Sequence, residues 1–528
     1  MPIFINLACK LNLMDIPDDR KIHVDPTPRI GGIVMALGAS ASIIIWAPMD
    51  IFVKAVLIGS GILVVFGFAD DVKGLGIKSK FFGQILAALI VVLYGGIKIK
   101  TLSVFAPVGF SLPVWVSVPF TVIVIVAVTN AINLSDGLDG LAGGITLLTF
   151  ICIGYLSYLD QFQAIEVISI AMVGAIFGLL RYNTHPATVF MGDAGSQFLG
   201  FIAITLSLVL TRKSSQTSII LTLFMIGIPI IDTAYVIAQR ILKGRSPFVA
   251  DKNHIHHKLM ELGLYHTESV LSIYLLHAIL VSLGFIFRTI SPWFLMAFYV
   301  SYSGLIIGAI FVADARGWKL KRYHFIDKII KKQLRVLKEE NAIIKFSFRA
   351  VEIGFIFILL YSCFLPQDIN IYFSLISMAF LGIIFVVWQI RKAWAMNMIE
   401  IAIFMMIPFL VYLGETNTIY MEDTALEKAY TYSFGLLIIC VLLTLKFTRR
   451  RGFKTTPMDF LILFVALVVP NLPDPRIQAW QMGLVAAKIV VLFFTYEVLK
   501  GELRLDTQRL GITGVLALMV ISARGFVW

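Results

Sequence analysis

Apolar residues occur along this chain in long, nearly uninterrupted runs. A helix needs about 20 mostly apolar residues to cross a bilayer, and about seventeen segments meet that requirement. The pattern therefore predicts an all-α polytopic integral membrane protein with about 17 transmembrane helices. The predicted spans are 30–48, 50–69, 80–97, 113–133, 138–158, 162–181, 196–211, 217–241, 267–287, 292–313, 346–365, 371–391, 396–414, 429–446, 457–470, 476–498 and 509–525.

The charges of the connecting loops predict which way the spans run. Loops 240–258 and 446–454 are rich in Lys and Arg, which places them in the cytoplasm under the positive-inside rule. Loop 415–428 is acidic and is expected to face outside. With these spans every basic loop falls on one side, and the polar residues of the first ten spans concentrate on that side too. The catalytic loops are therefore expected to face the cytoplasm.

Composition excludes a soluble enzyme, because 59% of the residues are apolar and only 14% are charged. The net charge of +12 fits the cytoplasmic loops of a membrane protein, so no nucleic acid partner is expected. The four cysteines are widely spaced, which indicates neither a disulfide framework nor a zinc site. The first fifteen residues lack the pattern of a cleavable signal peptide.

A basic segment separates the first ten spans from the last seven. On a helix its apolar residues would share one face, which suits a helix lying on an anionic membrane surface; a plain basic linker is an equally good interpretation. We predict a membrane domain at 1–315, an interfacial linker helix at 316–345 and a multi-spanning extension at 346–528, whose sequence indicates no function. The apolar face of the linker holds Ile326, Ile329, Ile330, Leu334 and Leu337.

Two acidic clusters lie at the cytoplasmic ends of predicted spans. Asp70 and Asp71 are adjacent, and such a pair repels unless a cation or a proton joins it. An acidic helix end in water is the structural alternative. The second cluster is a glycine-rich turn whose acids and amides can bind a polar ligand or a cation, and it offers more polar groups than a simple turn needs. It holds Asn130, Asn133, Asp136 and Asp139.

Two further clusters follow along the chain. The first has glycines on both sides of Asp193, which favours a ligand-facing loop, although helix capping is the alternative. It holds Asn183, His185, Phe190, Asp193 and Ser196. The second suits phosphate oxygens better than zinc, because no carboxylate or thiol completes a ligand set, and a solvated loop is the structural alternative. It holds Arg245, Lys252, His254, His256 and His257. Asp232 lies inside a span, where it either has a functional role or pairs with a basic group.

Five motifs in order resemble the polyprenyl-phosphate N-acetylhexosamine-1-phosphate transferases of the glycosyltransferase family 4 type. This family includes phospho-N-acetylmuramoyl-pentapeptide transferase. The resemblance covers residues 12–315, and relatives usually have a transmembrane helix before the first motif. The motifs are DRKIHVDPTPRIGGI from Asp19, ADD from Ala69, NLSDGLDGLAGG from Asn133, FMGDAGS from Phe190 and HIHHKL from His254.

The resemblance implies transfer of a sugar 1-phosphate from a UDP-sugar to polyprenyl phosphate, with release of UMP and a need for Mg²⁺ or, alternatively, Mn²⁺. It implies that Asp70 activates the lipid phosphate, that Asp193 and the neighbouring Asp71 hold the metal, and that all three are catalytic. Phe190 is the implied stacking partner of uracil. The implied substrate-binding residues are Lys80, Asn133, Asp136, Asp139, Asn183, Phe190, Arg245, His254, His256 and His257.

The HIHHKL motif resembles the N-acetylhexosamine branch, so UDP-GlcNAc or a related UDP-N-acetylhexosamine is the expected donor. The muramoyl-pentapeptide branch of peptidoglycan synthesis and a lipid or glycan transporter are the alternatives. SDGLDG resembles bacterial members, which implies an undecaprenyl phosphate acceptor, the bacterial inner (plasma) membrane and the start of a cell-envelope polysaccharide such as O-antigen or teichoic acid. The other expected partners are membrane lipids, downstream glycosyltransferases and a second copy of the chain in a homodimer.

Overall fold

The computed structural model describes residues 4, 5, 8, 10, 13–15, 26–101, 110–213, 218–246, 253–320, 341–366, 368–416, 425–447, 461, 482–502 and 507–527. The chain divides into two compact units, residues 1–321 with 456–458 and residues 322–455 with 459–528. Within the described residues, eleven helices are long and apolar enough to cross a membrane. This confirms an all-α polytopic protein, whereas the count of 17 spans and the sidedness stay predictions.

The first unit consists of helices and one short strand pair. In that pair Met14 lies opposite Pro28 and Asp15 lies opposite Thr27. The elements are β1 (Met14–Asp15), β2 (Thr27–Pro28), α1 (Gly31–Trp46), α2 (Ile51–Lys73), α3 (Ile77–Leu89, continued by a π-helical turn at Ile90–Tyr94), α4 (Val114–Leu134), α5 (Leu141–Leu159), α6 (Gln163–Asn183), α7 (Gly192–Lys213), α8 (Leu221–Met225), α9 (Gly227–Leu242), α10 (Ile255–Glu261), α11 (His266–Phe287) and α12 (Pro292–Ala315).

Helix α7 is the centre of the first unit, and its most apolar stretch is entirely buried. Helices α1, α2, α4 and α5 pack against it. Two glycines allow the closest approach: a Cβ on Gly67 would lie 2.4 Å from the Cα of Ala194, and a Cβ on Gly32 would lie 2.3 Å from the Cα of Gly195. The ends of α1 and α2 therefore reach the backbone of the first turn of α7, which is where the acidic residues meet.

Helix α2 ends later than the apolar pattern predicts. The Asp50 side chain accepts a hydrogen bond from the Val53 N–H at the start of the helix, and the helix ends at Lys73, where Gly74 caps it with a φ of 63°. Asp70 and Asp71 therefore belong to the last turn of α2 rather than to the loop after it.

The predicted span at 217–241 is wrong as a single helix, because it consists of α8 and α9 with a break at Ile226. Pro229 has no N–H to donate to the carbonyl of Met225, one helical turn earlier. The Thr149 hydroxyl donates to that carbonyl instead, at 2.6 Å. The hydropathy pattern does not reveal the break, because the residues on both sides of it are apolar.

The described part of the second unit is also helical, and ion pairs join two of its helices at both ends. Glu400 and Glu415 of α15 pair with Lys500 and Lys488 of α17, each at 2.5 Å. Most of the predicted linker at 316–345 and most of the predicted span at 457–470 lie outside the described residues. The elements are α13 (Asn341–Ser362), α14 (Ile371–Ile390), α15 (Lys392–Thr416), α16 (Ala425–Phe447), α17 (Met482–Glu502) and α18 (Thr507–Val527).

Candidate active site

A polar cavity of about 590 Å³ lies at one end of the first unit, between the last turns of α2 and α4 and the first turn of α7. Nine of the residues singled out from the sequence line it, so four segments that are far apart along the chain converge on one site. They are Asp71, Asn133, Asp136, Asp139, Asn183, His185, Phe190, Asp193 and His257.

Lys80 joins two of the predicted catalytic acids. Its Nζ lies 2.6 Å from Asp70 Oδ2 and 2.8 Å from Asp193 Oδ2. The other oxygen of Asp70, Oδ1, is buried and has no hydrogen-bond partner among the described residues. A buried carboxylate oxygen without a donor is costly. Asp70 is therefore ready to accept a proton, a cation or a hydrogen bond from a substrate.

Asp71 has a different environment from Asp70. Its Oδ1 accepts the N–H of Asp193 at 3.0 Å, and its Oδ2 accepts the N–H of Ala194 at 3.2 Å. The first N–H groups of a helix have no partner inside the helix, and the helix dipole favours an anion there. Asp71 therefore caps α7 from a neighbouring helix, and it fixes the backbone that carries Asp193.

The cavity carboxylates form a donor set that fits Mg²⁺. Asp71, Asp136 and Asp193 all line the cavity, and Mg²⁺ prefers carboxylate oxygens together with substrate phosphates. The buried Asp70 Oδ1 points to the same need for a cation or a proton near this cluster. The lone pairs that Asp71 does not use for capping remain available, so Asp193, Asp136 and Asp71 are the residues that would hold the metal.

The surroundings of Asp136 change its pKa. Burial, together with the neighbouring carboxylates of Asp193, Asp139 and Asp71, raises the pKa of Asp136 from 3.8 to about 7. A folded-state pKa above the unfolded value means that folding opposes ionisation of this group. Its contribution to stability is therefore favourable at low pH and is lost as the pH rises toward 7.

Asp136→Asn should raise Tm at pH 8 in the absence of divalent cations, because the substitution removes a carboxylate that must ionise among other acids. The gain over the unsubstituted protein should shrink at pH 5, where Asp136 is largely protonated. Thermal unfolding of the purified protein in detergent at both pH values measures this. Asp160→Asn, beyond the far end of α5, is the control and should not change the pH dependence. An unchanged or lower Tm of Asp136→Asn at pH 8 would show that Asp136 is not under electrostatic strain.

Asp139 organises a second polar group on the cavity wall. Its Oδ2 accepts hydrogen bonds from His185 Nδ1 at 2.8 Å and from the Ala187 N–H at 3.2 Å. Its own N–H donates to His266 Nε2 at 3.2 Å, and the rings of His185 and His266 stack with centroids 4.1 Å apart. The ligand atoms of Asp139, His185 and His266 are close enough to hold a metal ion. Hydrogen bonds already occupy the ligand atoms of Asp139, His185 and His266. The acids around Asp193 are therefore the better metal site.

Asn183 fixes two of the cavity loops to each other. Its side-chain oxygen accepts the N–H of Gly140 at 3.1 Å, and its amide donates to the carbonyl of Val189 at 2.9 Å. The neighbouring Phe190 is held by its backbone, which donates to the Pro28 carbonyl at 2.8 Å and accepts from the Gly31 N–H at 3.0 Å. Phe190 thus keeps a half-buried ring on the cavity wall without being part of the apolar core.

The histidine cluster is divided by the fold. His257 lines the cavity, whereas His254 and His256 are buried beside it. Burial, together with the nearby His257, lowers the pKa of His256 to about 3, which favours the neutral ring. Arg245 is exposed and is not among the described residues that line the cavity. Lys252 lies outside the described residues.

Some cavity residues had no role assigned from the sequence. Arg29 lines the cavity and pairs with Asp15 at 2.8 Å. It lies inside a quoted motif, so the motif pointed to the segment but not to the side chain. His266 begins helix α11 and belongs to no motif. Its proximity to Asp139, 127 residues earlier, arises only from the tertiary fold.

Comparison with known proteins gives consistent matches. The profile of glycosyl transferase family 4 matches residues 53–211. The probable undecaprenyl-phosphate N-acetylglucosaminyl 1-phosphate transferase of Bacillus subtilis (strain 168) is 35% identical over 63% of this chain and 93% of its own length. The decaprenyl-phosphate N-acetylglucosaminephosphotransferase of Mycobacterium leprae (strain TN) is 34% identical over 51% of this chain and 75% of its own length.

A third relative extends the agreement to another bacterium. The undecaprenyl-phosphate alpha-N-acetylglucosaminyl 1-phosphate transferase of Escherichia coli (strain K12) is 30% identical over 62% of this chain and 90% of its own length. The matched family region contains the Asp70–Asp71 pair, the glycine-rich turn with Asp136 and the loop with Asp193, which are the residues that the fold brings together. The family predicted from the motifs is therefore confirmed, and this chain belongs to glycosyl transferase family 4.

Proposed function

We propose that the protein transfers N-acetylglucosamine 1-phosphate from UDP-GlcNAc to a polyprenyl phosphate and releases UMP. The observation that carries the proposal is the junction at which Lys80 joins Asp70 and Asp193 beside a cavity of about 590 Å³. The names of the relatives, all of which are polyprenyl-phosphate N-acetylglucosamine phosphotransferases, support the sugar and the lipid acceptor.

The negative charge of the site favours a divalent cation for a reaction between phosphates. Asp71, Asp136, Asp139 and Asp193 line the cavity, and both substrates bring further negative charge. Lys80 and Arg29 compensate only part of it. Mg²⁺ held by Asp193 with Asp136 and Asp71 would neutralise the donor pyrophosphate and its developing charge.

The protein residues then have separate tasks. An oxygen of the lipid phosphate attacks the β-phosphorus of UDP-GlcNAc, a new P–O bond forms, and the bond from the β-phosphorus to the bridging oxygen breaks so that UMP leaves. Asp70, at the end of a membrane helix, would take a proton from the lipid phosphate when that phosphate arrives protonated. Its partner-free Oδ1 supports this role. Lys80 keeps Asp70 and Asp193 in position for the attack.

The nucleoside is expected to bind along the wall formed by Phe190 and Asp139. The half-buried Phe190 lines the cavity, and aromatic rings stack on bases irrespective of base identity. Asp139, with its donors from His185 and Ala187, fixes the loop that presents this wall. These residues should therefore contribute to donor binding more than to the chemical step.

Phe190→Ala should raise the KM for UDP-GlcNAc about 10-fold, which corresponds to about 1.4 kcal/mol, with little change in kcat. Initial rates of UMP release across a range of donor concentrations measure both constants. Phe190→Tyr keeps the aromatic face and should retain a KM close to that of the unsubstituted protein. A lowered kcat with an unchanged KM would place the uracil elsewhere.

The setting of the reaction is part of the proposal. The basic loops favour a cytoplasmic active site in a bacterial inner membrane, where a membrane-bound product could pass to downstream glycosyltransferases. A rate comparison between UDP-GlcNAc and UDP-N-acetylmuramoyl-pentapeptide tests the donor. Preference for the pentapeptide donor would support the alternative branch of the family.

A further inference from the structure

A buried, hydrogen-bonded aspartate and histidine lie next to the cavity without lining it. Asp232 of α9 is 4% exposed and His254 is 6% exposed. Asp232 Oδ2 accepts a hydrogen bond from His254 Nδ1 at 2.8 Å, and Oδ1 accepts the N–H of Ile255 at 2.7 Å. One carboxylate therefore holds both the histidine ring and the first backbone N–H of helix α10.

The other end of α10 is also fixed. Lys258 Nζ pairs with Asp314 Oδ2 of α12 at 3.2 Å, and the Leu320 N–H donates to the carbonyl of Leu262 at 3.0 Å. Such anchors are necessary because an isolated seven-residue helix is unstable in water. The position of α10 thus depends on the contacts at its two ends.

The residues between these anchors reach the active site. His257 lines the cavity, and the His256 ring lies so close to the glycine-rich turn that a Cβ on Gly137 would be 2.3 Å from His256 Nε2. Gly137 directly follows Asp136. A displacement of α10 would therefore move His257 and remove the support of the turn that carries Asp136.

We infer that Asp232 is a positioning residue for the transferase, which acts through His254 and Ile255 to hold α10 against the active site. The inference rests on the proposed function. Asp232 is not among the described residues that line the cavity, so it is not expected to touch a substrate. Its effect should pass through the histidines of α10.

The first test compares Asp232→Ala with Asp232→Asn. The alanine variant loses both hydrogen bonds and should lower kcat/KM about 30-fold, a typical effect of a misplaced catalytic element. The asparagine variant should stay within about 3-fold of the unsubstituted enzyme, because its oxygen can accept from Ile255 and its amide can donate to the other tautomer of His254. An asparagine variant as impaired as the alanine variant would overturn the inference, since it would show that the charge is required.

A double-mutant cycle separates positioning from general destabilisation. If Asp232 acts through α10, Asp232→Ala should lower kcat/KM by less than about 3-fold in a His257→Ala background. Phe190 lies on another part of the cavity wall. In a Phe190→Ala background, Asp232→Ala should therefore still lower kcat/KM about 30-fold. An equal fall in both backgrounds would contradict the inference.

A folding control keeps the test decisive. If Asp232→Ala is not recovered as a monodisperse protein, His254→Ala replaces it, since that variant keeps the bond from Ile255. The same dependence on the His257→Ala background is then expected, and its absence would refute the inference. Failure of the unsubstituted enzyme to make lipid-linked product would instead refute the proposed function. An active enzyme with an unaffected Asp232→Ala variant would refute only the positioning role.

Discussion

Asp193→Asn should lower the rate at which lipid-linked product forms by about 10²-fold or more. Asp193 contacts Lys80, lines the cavity and lies in the first turn of α7. The substitution removes the charge but keeps the shape. Steady-state release of UMP by the purified protein measures turnover. Asp50→Asn is a matched control, because asparagine also caps helices and Asp50 lies at the opposite end of α2. Turnover within 3-fold of the unsubstituted enzyme would remove Asp193 from the reaction.

The metal proposal adds a second readout to the same variant. A ligand that binds only the folded state raises Tm, and the increase grows as the ligand concentration exceeds Kd. Mg²⁺ should therefore raise the Tm of the unsubstituted protein, and the increase should be smaller in Asp193→Asn. An equal increase in both proteins would place the metal away from Asp193.

Lys80→Met should also lower turnover by about 10²-fold, because the substitution leaves Asp70 and Asp193 next to each other without their shared cation. The KM for UDP-GlcNAc should change much less than kcat, since Lys80 itself is not among the described residues that line the cavity. Parallel measurements of both constants test this. Lys78→Met is the matched control, because Lys78 is exposed two residues earlier in the same helix. Similar kinetics in the Lys78 and Lys80 variants would show that the junction is dispensable.

Much of the fold could be predicted because bilayer crossing imposes a length and a composition on each helix. Helix α7, for example, begins four residues before the predicted span at 196–211, and α11 begins one residue before its predicted span. The prediction failed where backbone chemistry rather than hydropathy decides the structure. At Pro229 the missing N–H breaks an apolar segment, and the compensating hydroxyl of Thr149 comes from a distant part of the chain.

The acids of the site could be found from local sequence, because several polar residues between glycines are conspicuous in an apolar chain. Their different environments could not be found in this way. Asp70 and Asp71 are neighbours, yet Asp70 contacts Lys80 and Asp71 caps α7, 122 residues further on. The buried contact of Gln84 with Asn130 and Gln197 next to the site likewise joins three helices. Such contacts depend on helix packing, which a single sequence does not specify.

The ion pairs of the second unit show the same limit. Glu400, Glu415, Lys488 and Lys500 are unremarkable single charges in the sequence, and only the packing of α15 against α17 makes them partners. Charges inside or at the ends of membrane helices are retained when they find a counter-charge. These pairs explain how the two helices are held together, and they assign no chemistry to the extension.

The most direct test of the proposed function follows the β-phosphate of the donor. The protein in detergent is incubated with UDP-GlcNAc carrying ³²P in the β-phosphate, undecaprenyl phosphate and Mg²⁺, and the lipid and aqueous phases are then separated. Transfer of sugar 1-phosphate predicts that the label enters the lipid as a pyrophosphate-linked GlcNAc and that unlabelled UMP appears in the aqueous phase. Label that stays in UDP while the lipid gains the sugar would show transfer of the sugar alone and would contradict the account.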